Sequence, residues 1–240
     1  MRSPITRMGG KNLLKKRLVA RFPKGYEEMT YVEPFVGSGA LFYKKEPSAK
    51  EVINDLDSFV YQVHKGLQQY GAEIDGTLSR QYTKQDFERI RDSKPTTLKA
   101  RCIKNLIMNR ITFAGMGTHY APTLSDPKLD YTQFEGRLKG VIILNQDYKN
   151  VVRRFDSSNT FFYFDPPYEE STSGHYKHHA FDLDAMVRLL HSIKGKFMVS
   201  MNDSPNVRRA FKGFHIGTIQ TRYIMGANFR IVTEAIITNY

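Results

Sequence analysis

The chain has 240 residues, a mass of 27.7 kDa and a formal net charge of +12, and this length fits one α/β domain that carries an insertion. Its single cysteine, Cys102, excludes an intramolecular disulfide and a cysteine-rich metal site. No segment has the length of a membrane span or the apolar run of a signal peptide, so we expect a soluble protein of the cytoplasm that does not bind membranes.

The positive charge is unevenly distributed. Residues 1–25 contain eight Lys or Arg and no acid, and residues 76–140 contain twelve basic and six acidic side chains. A basic surface attracts polyphosphates and gives binding that weakens with salt. The alternative is a solvated basic face that aids solubility, and charge alone does not choose between the two.

The first third of the chain predicts a strand, a glycine turn, a second strand and a helix. The predicted strand at 29–35 is broken by Gly37 and Gly39 and is followed by a helix-like stretch at 40–45. Val52 and Ile53 form a second short strand, and a helical pattern follows it through Phe59, Val60, Val63 and Leu67.

The regular alternation of predicted strands and helices weakens between residues 76 and 140 and then resumes. This region contains one predicted helix over 98–110 and a polar stretch rich in turn residues. The later elements are strands at 141–144, 160–164 and 197–201, a helix at 183–193, a helix that starts at Ser204-Pro205, and two closing strands. This order predicts a doubly wound, mostly parallel sheet with helices on both faces. It divides the chain into a main domain, 1–75 and 141–240, and an insertion, 76–140.

The most informative motif is Asp165-Pro166-Pro167-Tyr168, directly behind the apolar strand at 160–164. The carboxylate of Asp165 and the carbonyl of Pro166 both accept hydrogen bonds, and the prolines add no competing N–H donor. Tyr168 supplies a flat face beside these acceptors. The motif suits a planar ring with an exocyclic amino group, such as adenine. The alternative is a strand end capped by an Asp and punctuated by prolines.

A second motif joins Gly37-Ser38-Gly39 to an acid at the end of the next strand, Asp55. In a doubly wound fold this acid reaches a ribose bound over the glycine loop. A dinucleotide-binding fingerprint needs a third glycine, but Phe42 stands at that position, which argues against a nicotinamide cofactor.

These motifs together resemble the Dam-like DNA adenine methyltransferases, which use S-adenosylmethionine (AdoMet). Asp165-Pro166-Pro167-Tyr168 is similar to the family's catalytic motif, and the segment from Tyr31 to Gly39 is similar to its cofactor-binding motif. Further similar blocks are Gly9-Gly10-Lys11, Ser200-Met201-Asn202-Asp203 and the closing residues 233–240. The resemblance implies a Rossmann-like AdoMet-dependent methyltransferase fold with an antiparallel C-terminal strand. It also implies that 76–140 is the target-recognition region.

The resemblance also implies the residues that bind the cofactor. Asp147 would accept from the adenine amino group and Tyr148 would stack on the ring, whereas the alternative for this pair is a surface loop with a half-buried Tyr. The family usually has Trp where this chain has Arg7, whose guanidinium plane can also stack. The full set of expected cofactor-binding residues is Arg7, Gly10, Lys11, Phe35, Gly37, Ser38, Gly39, Asp55, Asp147, Tyr148 and Asp165.

Catalysis is expected from Asp165, Pro166 and Tyr168, acting on an adenine flipped out of the duplex. No metal is expected, because His175, His178 and His179 lack a carboxylate or Cys at a clear ligand spacing. The expected contacts with double-stranded DNA come from Arg110, Met116, His119, Tyr120, Lys139 and, in the loop after the motif, Tyr176.

The leading hypothesis is therefore site-specific methylation of the adenine N6 amino group in DNA. The alternatives are methylation of RNA adenine or of the cytosine amino group, and a catalytically silent DNA-binding protein. We expect a monomer or weak dimer in the cytoplasm of a bacterium, or of a host cell if the gene is viral. The target sequence and any partner restriction nuclease are not assigned by the sequence.

Overall fold

The computed structural model describes residues 1–7, 11, 14–78, 81–121, 129–167, 181–225 and 228–240, with the backbone alone at 221–225 and 228–230. The chain forms two compact units. The first comprises Met1–Lys15, Val36–Lys45 and Asn54–Asn145, and the second comprises Lys16–Phe35, Glu46–Ile53 and Gln146–Tyr240.

Helices and strands alternate through much of the chain. The helices are α1 Lys15–Val19, α2 Ser58–Ile74, α3 Lys84–Asp92, α4 Leu98–Arg110, α5 Tyr131–Leu138, α6 Tyr148–Phe155, α7 Leu183–Leu190 and α8 Pro205–Ala210. The strands are β1 Thr30–Glu33, β2 Lys50–Asn54, β3 Ile142–Leu144, β4 Thr160–Phe164, β5 Lys196–Asn202, β6 His215–Met225 and β7 Asn228–Thr238. Over the described ranges, no helix is both long and apolar enough to cross a membrane.

The second unit is built on a sheet with the strand order β2-β1-β4-β5-β7-β6. Strands β2, β1, β4 and β5 are parallel, and β7 runs antiparallel to both β5 and β6. All five residues of β4 are buried, as expected for a central parallel strand made of Thr, Phe and Tyr. The predicted doubly wound, mostly parallel fold and the antiparallel C-terminal strand are confirmed.

This topology places the end of β4 between the ends of its two parallel neighbours. Val32 of β1 pairs with Phe162 of β4, and Phe164 of β4 pairs with Val199 of β5. The carboxyl ends of parallel strands form the edge at which α/β folds bind ligands. Asp165 and Pro166 follow β4 at this edge.

In the first unit, α2 packs against α4 and α5 through glycines that let the helices approach closely. A Cβ added at Gly66 would lie 2.4 Å from the Cβ of Cys102, and one added at Gly71 would lie 2.5 Å from the carbonyl oxygen of Tyr131. The side chain of Gln68 donates to the carbonyl of Leu138 at 2.7 Å. Because the insertion packs on α2, the first unit contains both α2 and the insertion. The division into a main domain and an insertion stays a prediction.

Two predicted helices differ from the structure. The helix-like stretch at 40–45 consists of consecutive turns, such as the bond from Tyr43 N–H to Gly39 O at 2.9 Å, and forms no α-helix. Gly39 has φ 74° and Pro47 follows closely, so neither end allows a regular helix. The helix predicted to reach residue 193 ends at Leu190.

Candidate active site

Asp165 is held by a chain of two hydroxyl groups inside the second unit. The Oγ–H of Ser200, on β5, donates to Oδ1 of Asp165 at 3.3 Å, and Tyr163 Oη lies 2.7 Å from Ser200 Oγ. Because Ser200 gives its proton to the carboxylate, the tyrosine hydroxyl donates to Ser200. Ser200 is completely buried. The orientation of the Asp165 carboxyl is therefore set from within the sheet.

Tyr163 remains a proton donor because of its surroundings. Burial raises its pKa well above the usual value, and the negative charge of Asp165 raises it further. Glu33 on β1 and Glu234 on β7 act in the same direction, and both side chains are buried. Glu33 accepts the hydroxyl of Tyr31 at 2.7 Å. The phenol of Tyr163 is thus neutral at neutral pH and can donate its proton to Ser200.

Three aromatic rings cluster elsewhere in the second unit. The rings of Phe35 and Tyr148 are 5.1 Å apart, and each is 5.9 Å from the ring of Phe181. The hydroxyl of Tyr148 is buried and, among the described residues, has no hydrogen-bond partner. Burial raises the pKa of Tyr148 to about 12, with Asp147 and Asp182 adding to the effect. A buried hydroxyl of this kind fits a site that is completed by a polar ligand.

Asp147 directly precedes α6 and is exposed. Its Oδ1 accepts the backbone N–H of Lys149 at 2.8 Å, which caps the helix. A carboxylate has about four acceptor positions, so this cap leaves capacity for a ligand amino group. The sequence analysis named Phe35, Asp147 and Tyr148 as expected cofactor contacts. It did not name Phe181, which lies far along the chain beyond Asp165-Pro166-Pro167-Tyr168.

The first unit contains the glycine turn, residues 37–39. Gly37 and Gly39 have φ values of 49° and 74°, which only glycine adopts without strain. The N–H of Gly37 donates to Oδ2 of Asp55 at 2.9 Å, and the N–H of Asp57 donates to Oδ1 at 3.0 Å. The Asp55 carboxylate thus joins the glycine turn to the start of α2. Ser38, between the two glycines, is buried.

Arg7 and Lys11 also belong to the first unit. Arg7 forms an ion pair with Asp57 at 2.7 Å and its guanidinium lies 6.0 Å from the centre of the Phe59 ring. Burial raises the pKa of Asp55, opposed by its backbone hydrogen bonds and by the charge of Arg7. Lys11 is only 3% exposed, and a lysine is buried to this extent when it is paired.

Several predicted site residues lie outside the described part of the chain: Gly10, Tyr168 and Tyr176, together with His175, His178 and His179. Within the described part, no group of three or more His, Cys, Asp or Glu side chains could hold a metal ion.

The residues expected to contact DNA differ in their burial and in their hydrogen bonds to the rest of the protein. Arg110 is half-buried and donates to the carbonyl of Leu78, and Tyr120 Oη donates to the carbonyl of Tyr82 at 2.6 Å. Met116 is half-buried, while His119 and Lys139 are exposed. The two exposed residues are therefore more accessible to DNA than Arg110.

Sequence reasoning missed Phe113, which is 62% exposed on a firmly anchored turn. Its N–H donates to the carbonyl of His119 at 3.1 Å, closing a small loop. The side-chain amide of Asn109 donates to the carbonyls of Gly115 and Thr6 at 3.1 and 2.9 Å. The sequence carried one signal for this exposed turn, an aromatic residue close to Gly115 and Gly117.

Comparison with known families decides the identity. Residues 8–225 match the model of the D12 class of N6 adenine-specific DNA methyltransferases. The chain belongs to this family. The Dam-like resemblance is therefore confirmed, and the protein is an AdoMet-dependent enzyme that methylates the N6 amino group of adenine in DNA.

Two curated relatives are similar over most of their length. The Type II methyltransferase M1.LlaDCHI of Lactococcus lactis subsp. cremoris is 28% identical, with 99% of this chain and 95% of the relative aligned. The Type II methyltransferase M.MjaIII of Methanocaldococcus jannaschii is 26% identical over 75% of each chain. Among solved structures, precorrin 8w decarboxylase of Methanobacterium thermoautotrophicum matches at a TM-score of 0.45 and 10% identity, covering 95% of this chain and 89% of that chain. A TM-score of 0.45 is too low to support an argument from this neighbour. The fold is established by the strand order of this chain.

Proposed function

We propose that this methyltransferase acts on an adenine flipped out of double-stranded DNA, with Asp165 as the central catalytic residue. The carboxylate of Asp165 and the carbonyl of Pro166 would accept hydrogen bonds from the target amino group, and Tyr168 would stack on the base. The observation that carries this proposal is the hydrogen bond from buried Ser200, which orients Asp165 at the carboxyl end of the central strand β4.

The chemistry requires positioning rather than a covalent intermediate. The lone pair of an adenine amino group is delocalised into the ring, so the nitrogen is a poor nucleophile. Two acceptors on its hydrogens would favour a pyramidal nitrogen and direct the lone pair towards the reacting methyl group. AdoMet supplies that methyl group when bound. Pre-organised hydrogen bonds of this kind lower the barrier because they are already aligned when charge develops.

The expected cofactor-binding residues are suited to different portions of AdoMet. Asp55 would accept the ribose hydroxyls, and the glycine turn would receive the methionine portion together with Arg7, Gly10 and Lys11 of the N-terminal segment. Asp147 would accept a hydrogen bond from the amino group of the cofactor's adenine. The ring cluster, Phe35, Tyr148 and Phe181, would pack on the adenine, and the buried Tyr148 hydroxyl supports a polar ligand there.

Residues 76–140 are the proposed target-recognition region. Flipping a base costs a few kcal/mol. Proteins that deform DNA frequently insert an apolar side chain between its base steps. The exposed ring of Phe113 on its anchored turn is suited to this role. Exposed His119 and Lys139 would contact bases or phosphates, with Arg110, Met116 and Tyr120 supporting the same surface, and Tyr176 would close over the base.

The setting we propose is cytoplasmic. Both curated relatives are named Type II methyltransferases, which supports a role in protecting DNA from a partner restriction nuclease. We expect a monomer or weak dimer that needs no metal, since positioning and electrostatics suffice for methyl transfer.

The decisive experiment is expression in a host without DNA methylation, followed by modification-aware genome sequencing. The wild type should place N6-methyladenine at one fixed sequence, and a folded Asp165→Asn variant should not. The amide adds an NH₂ donor that opposes the adenine amino group, and loss of a pre-organised charged acceptor costs about 10²–10³ in rate. Methylated cytosine, or full activity of Asp165→Asn, would contradict the proposal.

A further inference from the structure

His64, on α2, lies directly behind the glycine turn and has a partner at each ring nitrogen. Its side chain is completely buried. Nε2 lies 2.9 Å from the carbonyl oxygen of Gly37, and Nδ1 lies 2.8 Å from Oη of Tyr43. A carbonyl oxygen only accepts, so Nε2 carries the proton and donates to Gly37. In the neutral ring Nδ1 is then the acceptor for the Tyr43 hydroxyl.

The surroundings of His64 keep the ring neutral. Burial lowers the pKa of His64 to about 4, the bond to Gly37 opposes this effect, and the positive charge of Arg7 adds to it. At neutral pH the imidazole is therefore in one tautomer, with the proton on Nε2. A protonated ring would lose the acceptor at Nδ1 that the Tyr43 hydroxyl uses.

Tyr43 fixes the other end of the glycine turn. A Cβ added at Gly39 would lie 2.6 Å from a ring carbon of Tyr43, so the tyrosine packs against the bare Cα of the glycine. The Tyr43 ring is itself held edge-on by Phe134, with centroids 5.2 Å apart. His64 therefore holds the carbonyl of Gly37. Its hydrogen-bonded partner, Tyr43, leaves no space for a side chain at position 39.

We propose that His64 and Tyr43 are positioning residues for AdoMet binding. They would hold the glycine turn in the one backbone conformation that accepts the methionine portion of the cofactor, without touching the cofactor themselves. This inference rests on the proposed role of the glycine turn in cofactor binding. It assigns a function to a buried histidine that the methyl-transfer chemistry does not use.

The test separates cofactor affinity from methyl transfer in the full-length enzyme. His64→Phe preserves a ring but removes both hydrogen bonds, and each buried bond contributes about a three- to tenfold factor in an equilibrium. We expect the Kd for AdoMet, measured by titration calorimetry, to rise about tenfold or more. Single-turnover transfer at saturating AdoMet should change little. Tyr43→Phe keeps the packing on Gly39, so its Kd should rise less.

Cys102→Ala is the matched control, because it loosens the packing of α4 on α2 at Gly66 and leaves the glycine turn intact. If Cys102→Ala and His64→Phe weaken AdoMet binding equally at equal loss of thermal stability, His64 is merely a core residue and the inference is overturned. For a His64→Phe variant that does not fold, ¹⁵N NMR of the wild type decides. We expect the Nε2–H tautomer at neutral pH and a shifted His64 signal on addition of AdoMet; an Nδ1–H tautomer, or an unshifted signal, would contradict the proposal.

Asp55→Asn distinguishes failure of this inference from failure of the proposed site. If neither Asp55→Asn nor His64→Phe changes the Kd, the glycine turn does not bind the cofactor. If Asp55→Asn alone raises it, the turn binds AdoMet but His64 does not position it.

Discussion

Ser200 donates a hydrogen bond from its Oγ to Oδ1 of Asp165 at 3.3 Å, although 35 positions separate the two residues in the chain. β5 pairs with β4 in parallel, and the pairing of Phe164 with Val199 brings the next residue of each strand side by side. Ser200 receives a second hydrogen bond from Tyr163 at 2.7 Å. The proposed catalytic carboxylate is thus part of a buried network rather than a free strand-end side chain.

The first prediction concerns this network. Ser200→Ala removes the hydroxyl that orients Asp165, and we expect single-turnover methyl transfer to slow about tenfold, the value of one buried hydrogen bond to a charged group. The Kd for AdoMet should be unchanged. Rapid-quench methylation of an adenine-containing duplex measures the rate.

The pH dependence of the methyl-transfer rate identifies why the Ser200→Ala enzyme is slower. A hydroxyl donor favours the ionised carboxylate, so the acid limb of the rate profile should move to higher pH in Ser200→Ala. Tyr163→Phe, which leaves the Ser200 to Asp165 bond in place, should have a smaller effect. A wild-type rate and profile in a folded Ser200→Ala enzyme would show that Asp165 is held by other contacts.

The second prediction concerns Asp55, which accepts N–H groups from both Gly37 and Asp57. Asp55→Asn keeps one acceptor oxygen and places an NH₂ group against the other donor. We expect the Kd for AdoMet to rise about tenfold or more, with transfer at saturating AdoMet nearly unchanged. Asp75→Asn is the control, because Asp75 also accepts a backbone N–H, that of Tyr131, at 2.9 Å but has no proposed cofactor contact. Equal losses in both variants would remove the ribose role of Asp55.

The third prediction concerns the exposed ring of Phe113. Phe113→Ala should slow methylation of a fully paired duplex about tenfold, because the space left by the flipped base is no longer filled. The defect should shrink on a duplex whose target adenine is mismatched, since less energy is then needed to extrude it. Ile231→Ala, which removes an exposed aliphatic side chain from β7, is the control. The same defect on both duplexes would argue against a wedge.

The fourth prediction concerns the pH dependence of stability. The pKa of His64 is lowered from 6.5 to about 4 by folding, so between these values the unfolded chain binds a proton that the native protein does not. The contribution of His64 to stability is therefore fully present above pH 6.5 and is lost as the pH falls towards 4. The size of the effect is on the order of 3 kcal/mol.

Urea unfolding of the wild type and of His64→Phe at several pH values from 7 to 4 measures this difference. The variant should show a flatter dependence in that window. Asp55, whose pKa is raised by burial, acts in the opposite sense but is present in both proteins, so it cancels in the comparison. Parallel curves for the two proteins would mean that folding does not lower the pKa of His64.

The sequence by itself determined the local features of this protein. The apolar run at 160–164 followed by Asp165-Pro166-Pro167 predicted β4 and its end, because the strand residues and the prolines that end the strand are adjacent in sequence. The helix predicted at 98–110 and the start of α8 at Ser204-Pro205 are as observed, since periodicity and capping act within a few residues.

Only the tertiary structure decided which distant residues meet. The sequence marks Ser200 as a strand residue and His64 as part of a helix, but their partners, Asp165 and Gly37, depend on strand order and on how α2 lies against the glycine turn. The exposure of Phe113 likewise depends on the anchoring of its turn by Asn109. Periodicity records whether a side chain is buried and not what it is buried against, because that choice is made by packing between elements far apart in the chain.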